Sequence, residues 1–492
     1  MPGFDNEKYL QLQSEKIMER VKMFGNKLYL EFGGKLFDDY HASRVLPGFL
    51  PDSKLKMLLK LKKDVEVVIV INSQDIAKNK IRNDIGINYQ SEVLRLIDAF
   101  ENAELFVGSV CITKFQEIPQ VMEFRQKLIN QGIKVYQHYE IKGYPHDIDK
   151  IISPEGFGKN DYIKTSRKIV VVTAPGPGSG KMATCLSQLY LENEKGKKAG
   201  YAKYETFPIW NLPLDHPVNM AYEAATADLA DVNMIDPYHL QAYNKLTVNY
   251  NRDVEIFPVL RQMFEAIYGE SPYKSPTDMG VNMAGFAISD DAECCKASKD
   301  EIIRRYLQAK VDFRNGKVSE DVVDKIAILM SKLGISIADR KCVQAALDKA
   351  NKTDTSSMGI ELPDGSIIDA KTSDLLTAPA ALILNSLKHL AGIKDTMTLL
   401  PRAIIEPITQ MKISNLHNKN PRLHADEILV ALSISARTNP LAEMAMTYLP
   451  MLEHSQAHST VILPEVDSGV FKKLKIDVTT EPEFKAHKLY NK

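Results

Sequence analysis

Cysteine, tryptophan and any surplus charge of one sign are scarce in this chain. Its five cysteines, at positions 111, 185, 294, 295 and 342, are scattered over 492 residues without a C-x-x-C. An odd, dispersed set is not a disulfide framework, and it fits a reducing cytoplasm. The adjacent Cys294 and Cys295 read as buried or helix-surface thiols. No His and Cys spacing reads as a zinc site, and no cysteine follows His424-Ala425-Asp426, which excludes the standard zinc-deaminase signature. The formal net charge of −1 leaves no overall field to draw in nucleic acid or an anionic membrane. Apolar runs such as Val67 to Ile71 are too short to cross a bilayer. Asp5, Glu7 and Glu15 break the pattern of a signal peptide. The expectation is a cytoplasmic protein with neither a membrane nor a nucleic-acid partner.

Ordinary globular composition remains, with 44% hydrophobic and 25% charged residues, and the length predicts roughly two to four domains. The most informative stretch is Lys168 to Leu189. Ile169 to Val172 is a β-branched run of the kind buried on both faces of a parallel sheet. Gly176, Gly178 and Gly180 follow, then Lys181. Met182, Cys185, Leu186 and Leu189 carry the i, i+3, i+4, i+7 stripe of an amphipathic helix. Strand, glycine loop and helix together aim backbone N–H groups and a helix N-terminus at a phosphate. The pattern departs from G-x-x-x-x-G-K-[ST] at two points, because Pro175 replaces the first glycine and Met182 replaces the Mg²⁺-binding hydroxyl. Prolines 175 and 177 remove two donors. Donors remain at Gly176, Gly178, Ser179, Gly180, Lys181 and Met182, and Ser179 is the better substitute for the missing hydroxyl. The same loop read as a dinucleotide site lacks G-x-G-x-x-G. Glu205, at the end of the next apolar run, then takes the place of a ribose-binding acid.

The segments around this loop alternate between strands and helices. Strands are predicted at Leu28 to Phe32, Val65 to Ile71, Leu105 to Ile112, Ile133 to Tyr136 and Ala199 to Tyr204, with helices between them, which implies βαβ units. Ligands in such sheets bind at the carboxyl ends of strands. That places Asp39, His41 and Arg44, in the loop after the first strand, along one edge with Asn72 and the Lys181 loop. The stiff segment Glu205 to Asn219, which contains Trp210, Asp215 and His216, is expected to close over a ligand. Residues 218 to 352 read as mostly helical. Beyond 353 a hairpin is predicted around Pro363-Asp364-Gly365, then helices, and strands at Val461 to Leu463 and Leu474 to Val478. The fold class is therefore α/β and multi-domain. It comprises a Rossmann-like or P-loop-like, mainly parallel sheet at 1–217, a helical domain at 218–352 and an α/β domain at 353–492.

Three motifs are jointly specific: Glu31-Phe-Gly-Gly-Lys-Leu-Phe-Asp-Asp39, Ala174-Pro-Gly-Pro-Gly-Ser-Gly-Lys181 and Phe207-Pro-Ile-Trp-Asn-Leu-Pro-Leu214. Over its whole length the chain resembles a bacterial family known as domain of unknown function 1846. The resemblance implies a cytoplasmic, several-domain bacterial protein and supplies no catalytic residues.

From the residues alone, the leading expectation is an ATP-dependent (or other nucleotide-dependent) enzyme of kinase or ligase type. It would act on a small anionic metabolite. Gly176, Gly178, Ser179, Gly180 and Met182 would cradle phosphate, with Lys181 neutralising developing charge. Asp38, Asp39 or Glu205 would hold Mg²⁺, Arg44 would hold the second substrate, and His216 or His41 would be the general base. The alternatives are a non-catalytic sensor of a nucleotide or phosphorylated metabolite, which does not need Mg²⁺, and an NAD(P)-dependent enzyme. A homo-oligomer is compatible with each.

Overall fold

The computed structural model describes residues 2–34, 36–37, 39–82 and 86–485. It divides into two compact units, 1–298 and 299–492.

Eleven strands belong to the first unit among the described residues: β1 (Leu28–Phe32), β2 (Val65–Asn72), β3 (Ile81–Arg82), β4 (Ile87–Asn88), β5 (Phe106–Thr113), β6 (Val135–Gln137), β7 (Ile169–Thr173), β8 (Gly200–Tyr204), β9 (Asn233–Ile235), β10 (Val248–Tyr250) and β11 (Gly280–Val281). Seven form one sheet in the order β11-β8-β1-β7-β2-β5-β6, and every neighbouring pair is parallel. The composition explains this. Every residue of β1, β2 and β7 is buried, and largely apolar strands buried along their whole length are stable only with both sheet faces covered. Side-chain alternation identifies the two covers. The Tyr29 hydroxyl donates to Glu192 of the helix Lys181–Glu194 at 3.0 Å. On the other face, Tyr204 shares a 2.7 Å hydroxyl contact with Tyr9 of the helix Asn6–Met23.

The path through the sheet contains a reversal of direction. From β1 the chain moves outward to β2, β5 and β6. It then returns to insert β7 between β1 and β2, and continues the other way to β8 and β11. The successors of β7 and β2 therefore run in opposite directions. This is the switch point at which open α/β sheets leave a crevice outside the strand carboxyl ends. The loop after β7 lies at that point.

The second unit contains a mixed sheet of β12 (Ser357–Glu361), β13 (Ile367–Lys371), β14 (Gln456–Ser459) and β15 (Asp477–Thr480) in the order β13-β12-β14-β15. The β12–β13 hairpin turns where predicted, with Gly365 at φ +83°. Helices Ala378–Leu390 and Ala425–Ser435 supply much of the core, including Leu382, Ile383, Leu387, Ile428 and Leu432.

Two sequence expectations differ here. Residues 218 to 352 are not a separate helical domain. β11 extends the sheet of the first unit, β9 and β10 pair within that unit, and the division falls inside the helix Asp291–Arg314. A two-residue strand beginning with glycine carries no periodicity to read. The strand expected at Val461 to Leu463 lies instead at Gln456–Ser459, whose polar Gln-Ala-His-Ser sequence hides it. Among the described residues, no helix is long and apolar enough to cross a membrane.

Candidate active site

The loop joining β7 to the helix Lys181–Glu194 is held by its carbonyls. Thr113, the last residue of β5, donates its hydroxyl to Ser179 O at 2.7 Å. Asn72, the last residue of β2, donates to Gly178 O at 3.4 Å. The Ser179 hydroxyl donates to Gly176 O at 2.9 Å. Glycine is required in this loop for different reasons. A Cβ on Gly176 would collide with the Tyr89 hydroxyl, whereas Gly180 caps the helix at φ +90°, a left-handed conformation. Gly178 is also left-handed, at φ +76°. Alternating handedness of this kind turns successive amides to one side. Among the described residues, the amides of Gly176, Gly178, Ser179, Gly180, Lys181 and Met182 meet no protein acceptor. The Lys181 side chain is half-buried, and no described carboxylate pairs with it.

A cluster of buried charge lies at the carboxyl ends of β1 and β8. Glu31 and Lys203 are register partners, so their side chains leave the same face. Lys203 Nζ is 2.9 Å from Glu205 Oε1 and also contacts Asp253 Oδ2 and the Tyr250 hydroxyl. Burial alone would lower the ammonium pKa, but Asp253 and Glu205 outweigh it and hold it well above the usual value. Two carboxyls thus share one ammonium. For Glu205, burial and the charge of Asp253 prevail over the lowering pull of Lys203, and its pKa rises to about 7. Tyr201 donates to Glu31 Oε2 at 2.7 Å. The charge of Glu31 acts on Lys203 and also raises the Cys185 thiol one turn into the helix, where Lys181 acts in the opposite sense. Tyr144 is 37% exposed. Nevertheless, surrounding protein, and then the charges of Glu31 and Cys185, raise its hydroxyl to about 12.

The other residues singled out from sequence have separate settings. Asp38 lies outside the described residues. Asp39 caps the helix Tyr40–Val45 by accepting from Ala42 N at 3.3 Å, and its second oxygen is 2.8 Å from Lys54 Nζ. Burial would raise its pKa, but Lys54 outweighs this and holds the carboxyl below the usual range. The His41 ring packs edge-on to Phe207 at 5.1 Å and lies 6.2 Å from Tyr222. Arg44 stacks over Tyr40 at 5.9 Å. His216 caps the helix Pro217–Ala225, with Nδ1 accepting from Val218 N at 3.3 Å. Its Nε2 is 3.1 Å from Asp291 and 3.5 Å from Cys295. These three groups have the composition of a metal site. However, a neutral ring that accepts at Nδ1 carries its proton on Nε2, which makes the Asp291 contact an ordinary hydrogen bond.

The segment from Glu205 to Ile209 is packed into the protein, whereas Asn211 and Pro213 to Asp215 are exposed. Asn219 bonds both N–H and C=O of Ile209, at 2.7 and 3.1 Å, and Asn282 donates to Thr206 O and Pro208 O, at 3.1 and 2.9 Å. Asn219, Asn282, Lys203, Asp253, Tyr250 and Glu31 were not singled out by sequence reasoning. A signal existed for two of them: Glu31 and Lys203 are charged residues inside otherwise apolar strands, which is where buried function concentrates.

The fold and site define a class: a parallel α/β protein with a glycine-loop helix N-terminus and a buried lysine–dicarboxylate cluster at the carboxyl ends of its strands. The chain belongs to the DUF1846 family. The N-terminal domain of unknown function DUF1846 matches residues 2–334, and its C-terminal counterpart matches 338–490. The UPF0371 protein str1377 of Streptococcus thermophilus is 56% identical over 490 residues, covering 100% of this chain and 99% of that protein. A UPF0371 protein of Streptococcus pneumoniae strain CGSP14 is also 56% identical over the same span.

Proposed function

We propose that the chain is an enzyme acting on a phosphorylated small molecule, with ATP the first ligand to test and kinase or ligase chemistry the first reaction class. The observation that carries this reading is that, among the described residues, the amides of Gly176 and Gly178 to Met182 and the ammonium of Lys181 meet no protein partner. Amides at a helix N-terminus and a nearby cation form an anion site that needs no rearrangement to bind. The carbonyls of the loop are already held by Asn72, Thr113 and Ser179, so the amides are preorganised. In this reading Lys181 neutralises charge that develops on the transferred group. Glu205, with a pKa of about 7, is poised to exchange a proton at neutral pH. Lys203 stabilises the ionised form that results.

One observation favours a second reading, a non-catalytic sensor of the same ligand class. Both oxygens of Asp39 are occupied and Met182 supplies no hydroxyl, so anion binding is better supported than Mg²⁺ binding. Isothermal titration with ATP, ADP and sugar phosphates, each with and without Mg²⁺, tests both readings. Lys181→Ala is expected to weaken binding at least tenfold while the thermal melt stays unchanged. Product formation that the variant abolishes supports the enzyme, and saturable binding without turnover supports the sensor. Equal affinity in wild type and Lys181→Ala eliminates the loop as the site.

A further inference from the structure

The second unit contains a cavity of about 610 Å³ that the reading above does not use. Its size is within the range of about 300–1,000 Å³ typical of small-ligand sites. Two cations and a set of hydroxyls line it: Arg422, Lys485, Thr355, Ser356, Thr372 and Thr460. The Arg422 Nε–H donates to Ser373 O at 2.5 Å, which fixes the plane of the guanidinium. Among the described residues, its two terminal nitrogens and the Lys485 ammonium meet no acceptor. The two cations line one cavity, Arg422 half-buried and Lys485 exposed, and an anion between them removes their mutual repulsion. Consistent with this, burial and then the charge of Arg422 lower the pKa of Lys485 against a smaller opposing pull from Asp467. Asp467, the nearby carboxylate, does not answer them directly: its oxygens take His424 Nδ1 and Ala425 N, both at 2.8 Å. Asp354 also lines the cavity but is exposed. The hydroxyls of Ser356 and Thr372 bond each other at 2.8 Å and retain lone pairs for a polar ligand.

We propose that this cavity is a second ligand site, binding a small phosphate monoester between Arg422 and Lys485, with the threonine and serine hydroxyls meeting its polar body. An Arg fork recognises a phosphate with two N–H groups at once, and a lysine adds a point charge from the other side. This site stands independently of the glycine loop.

Pyridoxal 5′-phosphate is a suitable probe for the full-length protein, because its phosphate seeks the site and its aldehyde condenses with a nearby amine. Borohydride reduction fixes the adduct for mass spectrometry. The expected result is labelling at Lys485 that millimolar inorganic phosphate suppresses several-fold, in wild type and in Lys181→Ala alike. In Arg422→Gln the protection by phosphate should be lost. Should that variant fail to fold, equilibrium dialysis of radiolabelled phosphate against Lys181→Ala and Lys181→Ala/Lys485→Gln replaces it. The single variant should keep a saturable site that the double variant loses. Labelling of Lys485 that phosphate does not alter, or no saturable phosphate binding in Lys181→Ala, overturns the proposal.

Discussion

Glu205 illustrates how far a single residue can be read in isolation. Its place at the end of an apolar strand made it a ribose-binding or metal-binding acid on paper. In the structure, its carboxylate is bound to Lys203 and lies against the same backbone as the Trp210 ring. A Cβ on Gly280 would be 2.6 Å from that ring and 3.0 Å from Glu205 Oε2. Two carboxyls around one ammonium cannot both ionise cheaply, so the last proton leaves late. The sign of the linkage follows. A folded pKa raised from the ordinary 4.5 to about 7 makes the native state hold a proton that the unfolded state has released. Stability attributable to Glu205 therefore falls as pH rises from 4.5 to about 7 and is level above it. Glu205→Gln is expected to be more stable than wild type at pH 8, with the difference shrinking toward pH 5. Denaturant titration across that range checks this, and parallel profiles for the two proteins refute it. Lys203 and Asp253 lie fifty residues apart in sequence, and no local pattern pairs them.

At the scale of elements, the strand–loop–helix unit was legible because it depends on neighbours in sequence: a β-branched run, glycines at the turn and an apolar stripe. What immobilises the loop was not legible. Its carbonyl anchors come from the ends of β2 and β5, more than sixty residues upstream. A second junction of this kind ties the edge strand β6 to the helix Lys181–Glu194. His138, just past β6, contacts Asp161 O at 3.2 Å and Gln188 at 3.1 Å, and Gln188 in turn accepts from Ile163 N at 2.8 Å. Burial lowers the His138 pKa from 6.5 to about 4. Here the sign is opposite to that of Glu205. The unfolded chain takes up a proton that the folded ring refuses, so stability is intact above pH 6.5 and declines as pH falls toward 4. The loss amounts to about 3 kcal/mol by the bottom of that window. His138→Gln, which keeps a polar contact but does not titrate, is expected to flatten the acid limb of the stability curve between pH 6.5 and 4. An unchanged acid limb would show that the ring is not the titrating group.

At the scale of the molecule, the chain divides at 298/299, whereas composition placed boundaries at 217 and 352. Texture misled because helical segments of the middle region serve two cores. The pair β9–β10 and the strand β11 belong to the first unit, while the helix Lys341–Thr353 packs on β12 and β13 of the second. The second unit has a continuous apolar core running from Met358 to Ile476. A fragment of residues 299–492 is expected to fold alone, giving a sigmoidal thermal transition by near-ultraviolet circular dichroism. A featureless, non-cooperative melt would count against the division. The hairpin at Pro363-Asp364-Gly365 and the parallel character of the large sheet were both foreseeable. Turn chemistry acts over four residues, and doubly buried strands show as unbroken apolar runs.

Local pattern alone thus specified the α/β class, the parallel sheet, the glycine loop before Lys181 and the hairpin, because each depends on interactions within one element or between adjacent ones. Long-range folding decided the strand order, the switch point between β7 and β2, the Lys203–Glu205–Asp253 cluster and the Arg422–Lys485 cavity. Each of these brings together groups separated by tens to hundreds of residues. Their proximity follows from how the sheets close and pack, and no periodicity along the chain records it.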